Sequence, residues 1–86
     1  MKLKASKDLG QYLRTKRETA KLSQRQVAKM FNYASSQFVS NWERGKAAPP
    51  IETLKKLKEV YHLETKEVAE IISRNVCDNI ADYLNT

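Results

Sequence analysis

Apolar residues recur every three or four positions along almost the whole chain, and this spacing restricts the fold more than any other feature. Leu9, Tyr12 and Leu13 show it near the N-terminus, and Val68 and Ile72 continue it near the other end. Such spacing is typical of one buried helix face, and no strand-like alternation occurs. Two glycines and two prolines also leave little material for the turns of a sheet protein. The sequence therefore predicts an all-α fold.

Capping residues and helix breakers divide the chain into five predicted helices. Ser6 precedes the first helix, and Ser23 and Gln26 have the S-x-x-Q spacing of a capping box at the start of the second. Ser35 is predicted to cap the third helix, and Gly45 to end it in the left-handed conformation. The predicted helices cover about residues 7–20, 23–32 (ending at Asn32), 35–45, 50–62 and 65–84.

A chain of 86 residues is expected to form one domain, here residues 1–86, with residues 1–5 frayed. No apolar run could span a membrane, and no apolar segment follows the N-terminal lysines, so we expect neither a membrane association nor a secretory signal. The single cysteine, Cys77, cannot form an internal disulfide. It fits a reducing compartment, and we expect a cytoplasmic location.

The positive charge is concentrated in the N-terminal part of the chain. The net charge is +6, and residues 1–29 carry nine Lys/Arg against two acids, whereas residues 66–86 carry two against four. A basic surface favours a polyanionic partner. Lysine-rich helix faces are more often simply solvated, so charge alone does not select that function.

Residues that could support catalysis are almost absent from the sequence. His62 is the only histidine, and with one cysteine it cannot complete a metal site or a catalytic dyad. No glycine-rich phosphate loop is present. We therefore expect no enzyme activity, no metal and no cofactor.

Residues 22–45 have the pattern of a helix, a short turn and a second helix. The second helix carries hydroxyl and amide side chains away from its apolar residues, Val39 and Trp42. A solvated face would normally carry Lys and Glu, whereas short hydroxyls and amides can read base edges in the major groove. The alternative is an ordinary helical hairpin within a bundle. The polar residues of this helix are Ser35, Ser36, Gln37, Ser40 and Asn41.

Residues from about 9 to 63 resemble the phage repressor and Cro-like helix-turn-helix domains, also called the Xre-type family. The resemblance implies a five-helix, lambda-repressor-like domain that binds specific double-stranded DNA, normally as a dimer on a near-palindromic operator. It rests on Arg17, Ser23-Gln24, Val27-Ala28, Glu43-Arg44-Gly45-Lys46 and Pro49-Pro50-Ile51-Glu52-Thr53-Leu54.

The resemblance also implies roles for individual residues. It implies base contacts from Ser36, Gln37 and Asn41, and a structural pair between Arg17 and Glu43 that ties helix 1 to helix 3. Phosphate contacts are expected from Gln24, Ser40, Arg44 and Lys46.

Two features of this chain depart from the family pattern. The turn over residues 31–35 is one residue longer than usual and lacks its glycine, which leaves the tilt of helix 3 open. Phe38 replaces a residue that is usually small and polar, and either contact with a thymine methyl group or burial against helix 2 would explain it.

The apolar stripe of the last helix continues beyond the length needed to cover the other four helices. A second copy of the same helix is the obvious partner, because a two-fold dimer matches one patch to itself. Such a dimer would place two recognition helices about 34 Å apart, one turn of DNA. The residues predicted to form this interface are Val76, Ile80, Tyr83 and Leu84.

These observations predict a transcriptional regulator, in particular a repressor, that binds operator DNA as a homodimer and takes no small-molecule ligand. The alternative is an antitoxin or protein-bridging module whose C-terminal helix binds a partner protein. RNA binding is disfavoured, because the sequence shows no exposed aromatic platform.

Overall fold

The computed structural model describes residues 3–74, which form five α-helices and no strand. They are α1 (Lys7–Thr19), α2 (Gln24–Met30), α3 (Gln37–Glu43), α4 (Ile51–Tyr61) and α5, described over residues 65–74. The all-α prediction is confirmed. None of the helices in this part of the chain is long and apolar enough to cross a membrane. The residues predicted for dimerisation (Val76, Ile80, Tyr83 and Leu84) and Cys77 lie outside the described residues.

The first two helices begin with the side-chain caps that their sequences predict. Ser6 Oγ accepts a hydrogen bond from the Leu9 N–H at 3.1 Å. Ser23 Oγ accepts from the Gln26 N–H at 3.0 Å, and Gln26 Oε1 accepts from the Ser23 N–H at 2.8 Å, which completes a capping box. These bonds satisfy N–H groups that have no partner within a first helical turn.

The start of α3 differs from the prediction. The N-cap residue is Ser36, not Ser35, and its side chain makes no capping bond. A capping side chain needs an extended N-cap residue, whereas Ser36 has φ −80° and ψ 6°. Ser35 Oγ accepts only a 3.3 Å bond from the Gln37 N–H, in an exposed position.

The first four helices are each followed by a residue with left-handed backbone, at φ between 55° and 76°. Asn32 and Gly45 end α2 and α3 as the sequence predicts, and Lys21 and His62 do the same for α1 and α4. After α3, the Lys46 N–H donates to the Asn41 carbonyl at 2.9 Å, the long bond of a Schellman motif. These sharp turns allow short helices to pack closely.

One apolar core joins the described elements. It includes Leu3, which is only 9% exposed, so the prediction that residues 1–5 fray is wrong for Leu3. Leu3 lines the same recess as Pro49 and Ile51, and these neighbours explain why the N-terminal segment is held. The other buried apolar residues are Leu9, Leu13, Val27, Ala28, Val39, Trp42, Leu54, Leu57, Tyr61, Leu63 and Ile71.

Helix α1 also holds the start of α5. The Tyr12 hydroxyl donates to Glu67 Oε1 at 3.0 Å and accepts from the Glu64 N–H at 3.3 Å. Lys16 Nζ lies 3.5 Å from the same Glu67 oxygen. Burial raises the pKa of the Tyr12 hydroxyl, and the neighbouring Glu67 carboxylate contributes in the same direction.

Candidate nucleic-acid interface

Helix α3 has one face in the core and the opposite face at the surface. Val39 and Trp42 are buried, and the Glu43 side chain is only 4% exposed. Successive residues of a helix are rotated by about 100°, so Gln37 and Asn41 lie on the opposite side. The contact of α3 with the domain therefore leaves these two amides at the surface.

Uncharged polar groups occupy the outer face of α3. Gln37 is exposed, whereas Ser36, Ser40 and Asn41 are half-buried. Gln37 Nε2 donates to Asn41 Oδ1 at 3.4 Å, so the two amides are neighbours along the helix. The three predicted base-contacting residues thus lie at the N-cap of α3 (Ser36), in its first turn (Gln37) and one turn further along (Asn41).

The backbones of α1 and α3 touch at Gly10. A Cβ atom at this position would lie 2.5 Å from the Trp42 carbonyl oxygen and 2.6 Å from that of Glu43. No side chain fits between them, so Gly10 sets the separation of the two helices. Sequence reasoning missed this residue, although a glycine inside a helical pattern is itself a signal of close packing.

The end of α3 passes just as closely over the start of α1. Gly45 has φ +76°, and a Cβ atom there would lie 3.0 Å from the Lys7 backbone nitrogen and 3.1 Å from the Ser6 carbonyl carbon. Glycine is favoured here both by the left-handed backbone and by the lack of space. The C-terminal end of α3 is therefore fixed by two backbone contacts with α1.

The Glu43 carboxylate joins three helices. Arg17 Nε donates to Glu43 Oε2 at 2.6 Å and Arg17 Nη2 to Oε1 at 3.1 Å, which forms a bidentate pair. Gln24 Nε2 donates to Oε1 at 3.0 Å, and Arg17 Nη1 donates to the Leu22 carbonyl at 2.7 Å. The hydrogen bonds to Glu43 raise the pKa of the Arg17 guanidinium. The arrangement ties α1, α2 and their connecting turn to the last residue of α3.

Cations lie at both ends of α3. Arg44 and Lys46 are exposed just after its C-terminal end. Near its N-terminal end, a recess of about 400 Å³ is lined by Arg25 and Lys29 of α2 and by residues 33–36. The predicted phosphate-contacting residue Gln24 has its amide engaged with Glu43, in a half-buried position.

A family model described as helix-turn-helix matches residues 13–68, which include all of α2, α3 and α4. The chain belongs to the Cro/C1-type helix-turn-helix family. This family membership confirms the resemblance noted in the sequence. No curated protein and no solved structure matches the chain.

As a Cro/C1-type helix-turn-helix protein, the chain is a DNA-binding regulator with a fold consistent with that of lambda repressor. The family is one of DNA-binding regulator domains rather than of enzymes. Within residues 3–74, no group of three His, Cys, Asp or Glu side chains could hold a metal ion. The outer face of α3, with Ser36, Gln37, Ser40 and Asn41, is the candidate DNA-reading surface of this helix-turn-helix protein.

Proposed function

We propose that this helix-turn-helix protein is a sequence-specific repressor that inserts α3 into the major groove of its operator. The observation that carries the proposal is the uncharged outer face of α3 on a helix held by close backbone contacts. Gln37 and Asn41 each offer a donor and an acceptor, the pair of groups that adenine presents in the major groove. Ser36, at the N-cap of α3 and next to Gln37, is proposed to add a third base contact.

Contacts to the DNA backbone would orient α3 in the groove. Arg44 and Lys46, just after the C-terminal end of α3, are proposed to neutralise phosphates. Ser40 is proposed to donate a hydrogen bond to a phosphate oxygen, as is the second N–H of the Gln24 amide, whose other N–H donates to Glu43. Such contacts carry no sequence information, but they set the register of the protein on the duplex. Occupancy of a promoter by this domain would be sufficient for repression.

Selection of bound sites from random duplexes tests this function directly. We expect the recovered duplexes to share one motif. Affinity for them should fall steeply with salt, because each neutralised phosphate adds about −0.9 to the slope of log affinity against log salt concentration. Lys46→Ala should reduce that slope, whereas Lys56→Ala, which removes an exposed lysine of α4, should not. Transcription from a promoter that overlaps the motif should decrease when the protein is added. Recovery of no common motif, or salt-independent affinity, would contradict the proposal.

We also propose that the protein binds its operator as a homodimer through α5. On the described part of the chain, a recess of about 310 Å³ between α4 and α5 is lined mainly by apolar side chains, among them Leu54, Val68 and Ile72. The predicted interface residues continue the same apolar repeat along the sequence. An apolar surface that continues along one helix favours a two-fold contact between copies.

Sedimentation of two variants tests the dimer. Truncation after Arg74, or Ile80→Asp, should give a folded monomer with much weaker operator binding. Asn79→Asp introduces the same charge one position earlier and should remain a dimer. A truncated protein that still sediments as a dimer would contradict this interface and indicate one at residues 49–57 instead.

A further inference from the structure

Phe38 is exposed on the helix that carries the candidate reading surface. It is the second residue of α3 and is 55% exposed, one of two large apolar side chains exposed to this degree among residues 3–74. Exposed aromatic area is unfavourable in water unless a partner covers it. The ring on this helix is therefore available for a contact made on binding.

The Phe38 ring is held in place by other rings. Its centroid lies 4.8 Å from that of Tyr33, with the planes tilted by 37°. Tyr33 lies edge-on to the buried Trp42 at 6.0 Å and stacks with Phe31 at 6.0 Å. A continuous set of rings thus extends from the core to Phe38 and gives this exposed side chain a defined orientation.

Phe38 lies beside the amides of the reading surface. It is three residues before Asn41, which makes the two side chains neighbours on the helix surface, and it directly follows Gln37. In the major groove, the apolar group that a base pair presents next to its donors and acceptors is the 5-methyl group of thymine. An aromatic ring beside two amides therefore matches a thymine adjacent to the base pair that the amides read.

We infer that Phe38 is a specificity-determining residue that recognises a thymine methyl group in each half of the operator, with Tyr33 as the residue that positions its ring. This inference rests on the proposed function, because it requires α3 to lie in the major groove. The contact with Phe38 would select a thymine next to the base pair that Gln37 and Asn41 read. The ligand of the exposed ring would be the methyl group of that thymine.

Replacement of thymine by uracil in the selected duplex tests the inference, since uracil lacks only the methyl group. For the full chain, we expect one thymine per half-site at which uracil weakens binding by about fourfold, the effect of one buried methyl group. Phe38→Ala should abolish the difference between thymine and uracil at that position. Met30→Ala removes the other large apolar side chain that is exposed among residues 3–74 and should leave the difference unchanged.

Two more variants separate recognition from folding. Phe38→Leu keeps an apolar contact and should retain part of the preference for thymine over uracil. Tyr33→Leu should reduce that preference while affinity for the uracil duplex stays the same, a result that a general loss of stability would not produce. Thermal unfolding of each variant checks that the protein is folded under the conditions of the binding measurement.

Several outcomes would overturn the inference. These are equal affinity for thymine and uracil at every position, full sensitivity to uracil in Phe38→Ala, or a selected motif without a constant thymine. Tighter binding to the single strand than to the duplex would assign the ring to base stacking instead. Sequence-selective binding without uracil sensitivity rejects only this inference, whereas failure to bind any duplex rejects the proposed function as well.

Discussion

The C-terminal end of α3 is fixed by backbone contact and a buried ion pair, whereas its N-terminal end is exposed and lacks a side-chain cap. Gly10 and Gly45 bring α1 within van der Waals contact of the last turn, and Glu43 is bonded to two other helices. At the other end, Ser36 makes no capping bond and Gln37 is exposed.

Within the seven residues of α3, one end therefore sets the orientation of the helix, and the other end is proposed to recognise bases. The fixed end holds the helix at one angle to the domain, and the exposed end carries Ser36 and Gln37, two of the three residues proposed to meet the bases. Changes at the fixed end should therefore reduce stability and weaken binding to every duplex. Changes at the exposed end should alter sequence preference at nearly constant stability.

The largest effect is expected from breaking the Arg17–Glu43 pair. Glu43→Ala or Arg17→Met should each destabilise the domain by about 3 kcal/mol, because the remaining partner is left as an uncompensated charge in a largely buried site. The double variant should lose less than the worse single variant. Urea unfolding of the three proteins measures these differences.

An exposed ion pair of the same domain provides the control. Arg14 and Glu18 lie 3.5 Å apart on the surface of α1, with both side chains more than half exposed. Glu18→Ala should change stability by less than about 1 kcal/mol. A double Arg17/Glu43 variant less stable than either single variant would show that the pair does not act as a compensated unit.

A somewhat smaller effect is expected for Gly10→Ala. In an unobstructed helix this change would stabilise the fold by about 1 kcal/mol, since alanine is the better helix former. Here the new methyl group would overlap two carbonyl oxygens of α3. We expect the free energy of unfolding to fall by about 1–3 kcal/mol and binding to all duplexes to weaken. A more stable Gly10→Ala variant would contradict the close approach of α1 and α3.

The smallest effects compare two serines at helix starts. Ser23→Ala removes half of the capping box of α2 and should cost about 1 kcal/mol. Ser35→Ala removes an exposed 3.3 Å bond before α3 and should cost less than about 0.5 kcal/mol. Thermal unfolding of both variants checks the order, and equal losses would mean that the exposed end of α3 is capped as firmly as α2.

Much of the fold could be predicted from sequence because its signals are local. The apolar repeat indicates each buried face, and Ser23 with Gln26 marks a helix start within four residues. Asn32 and Gly45 are residue types that tolerate left-handed backbone. Such signals depend on neighbouring residues, so no tertiary contact is needed to read them.

The features that escaped prediction depend on distant residues or on backbone geometry. The role of Gly10 depends on carbonyl groups of α3, more than 30 residues away. The shift of the cap from Ser35 to Ser36 depends on the dihedral angles of the turn. Lys21 adopts left-handed backbone although lysine is not a residue type enriched in that conformation. At the candidate site, the residue types were predictable from sequence. The contact between Gln24 and Glu43 was not, and neither was the packing of Phe38 on Tyr33.

The central claim, that the exposed end of α3 reads DNA sequence, is tested most directly by measuring base preference in two matched variants. Gln37 and Gln11 are both exposed helical glutamines whose amide donates at 3.4 Å to the residue four positions later. Gln37→Ala should weaken binding to the selected duplex by about 1–3 kcal/mol and remove the preference at one base pair of each half-site. Gln11→Ala should leave affinity and preference unchanged. An unchanged base preference in Gln37→Ala would contradict the claim.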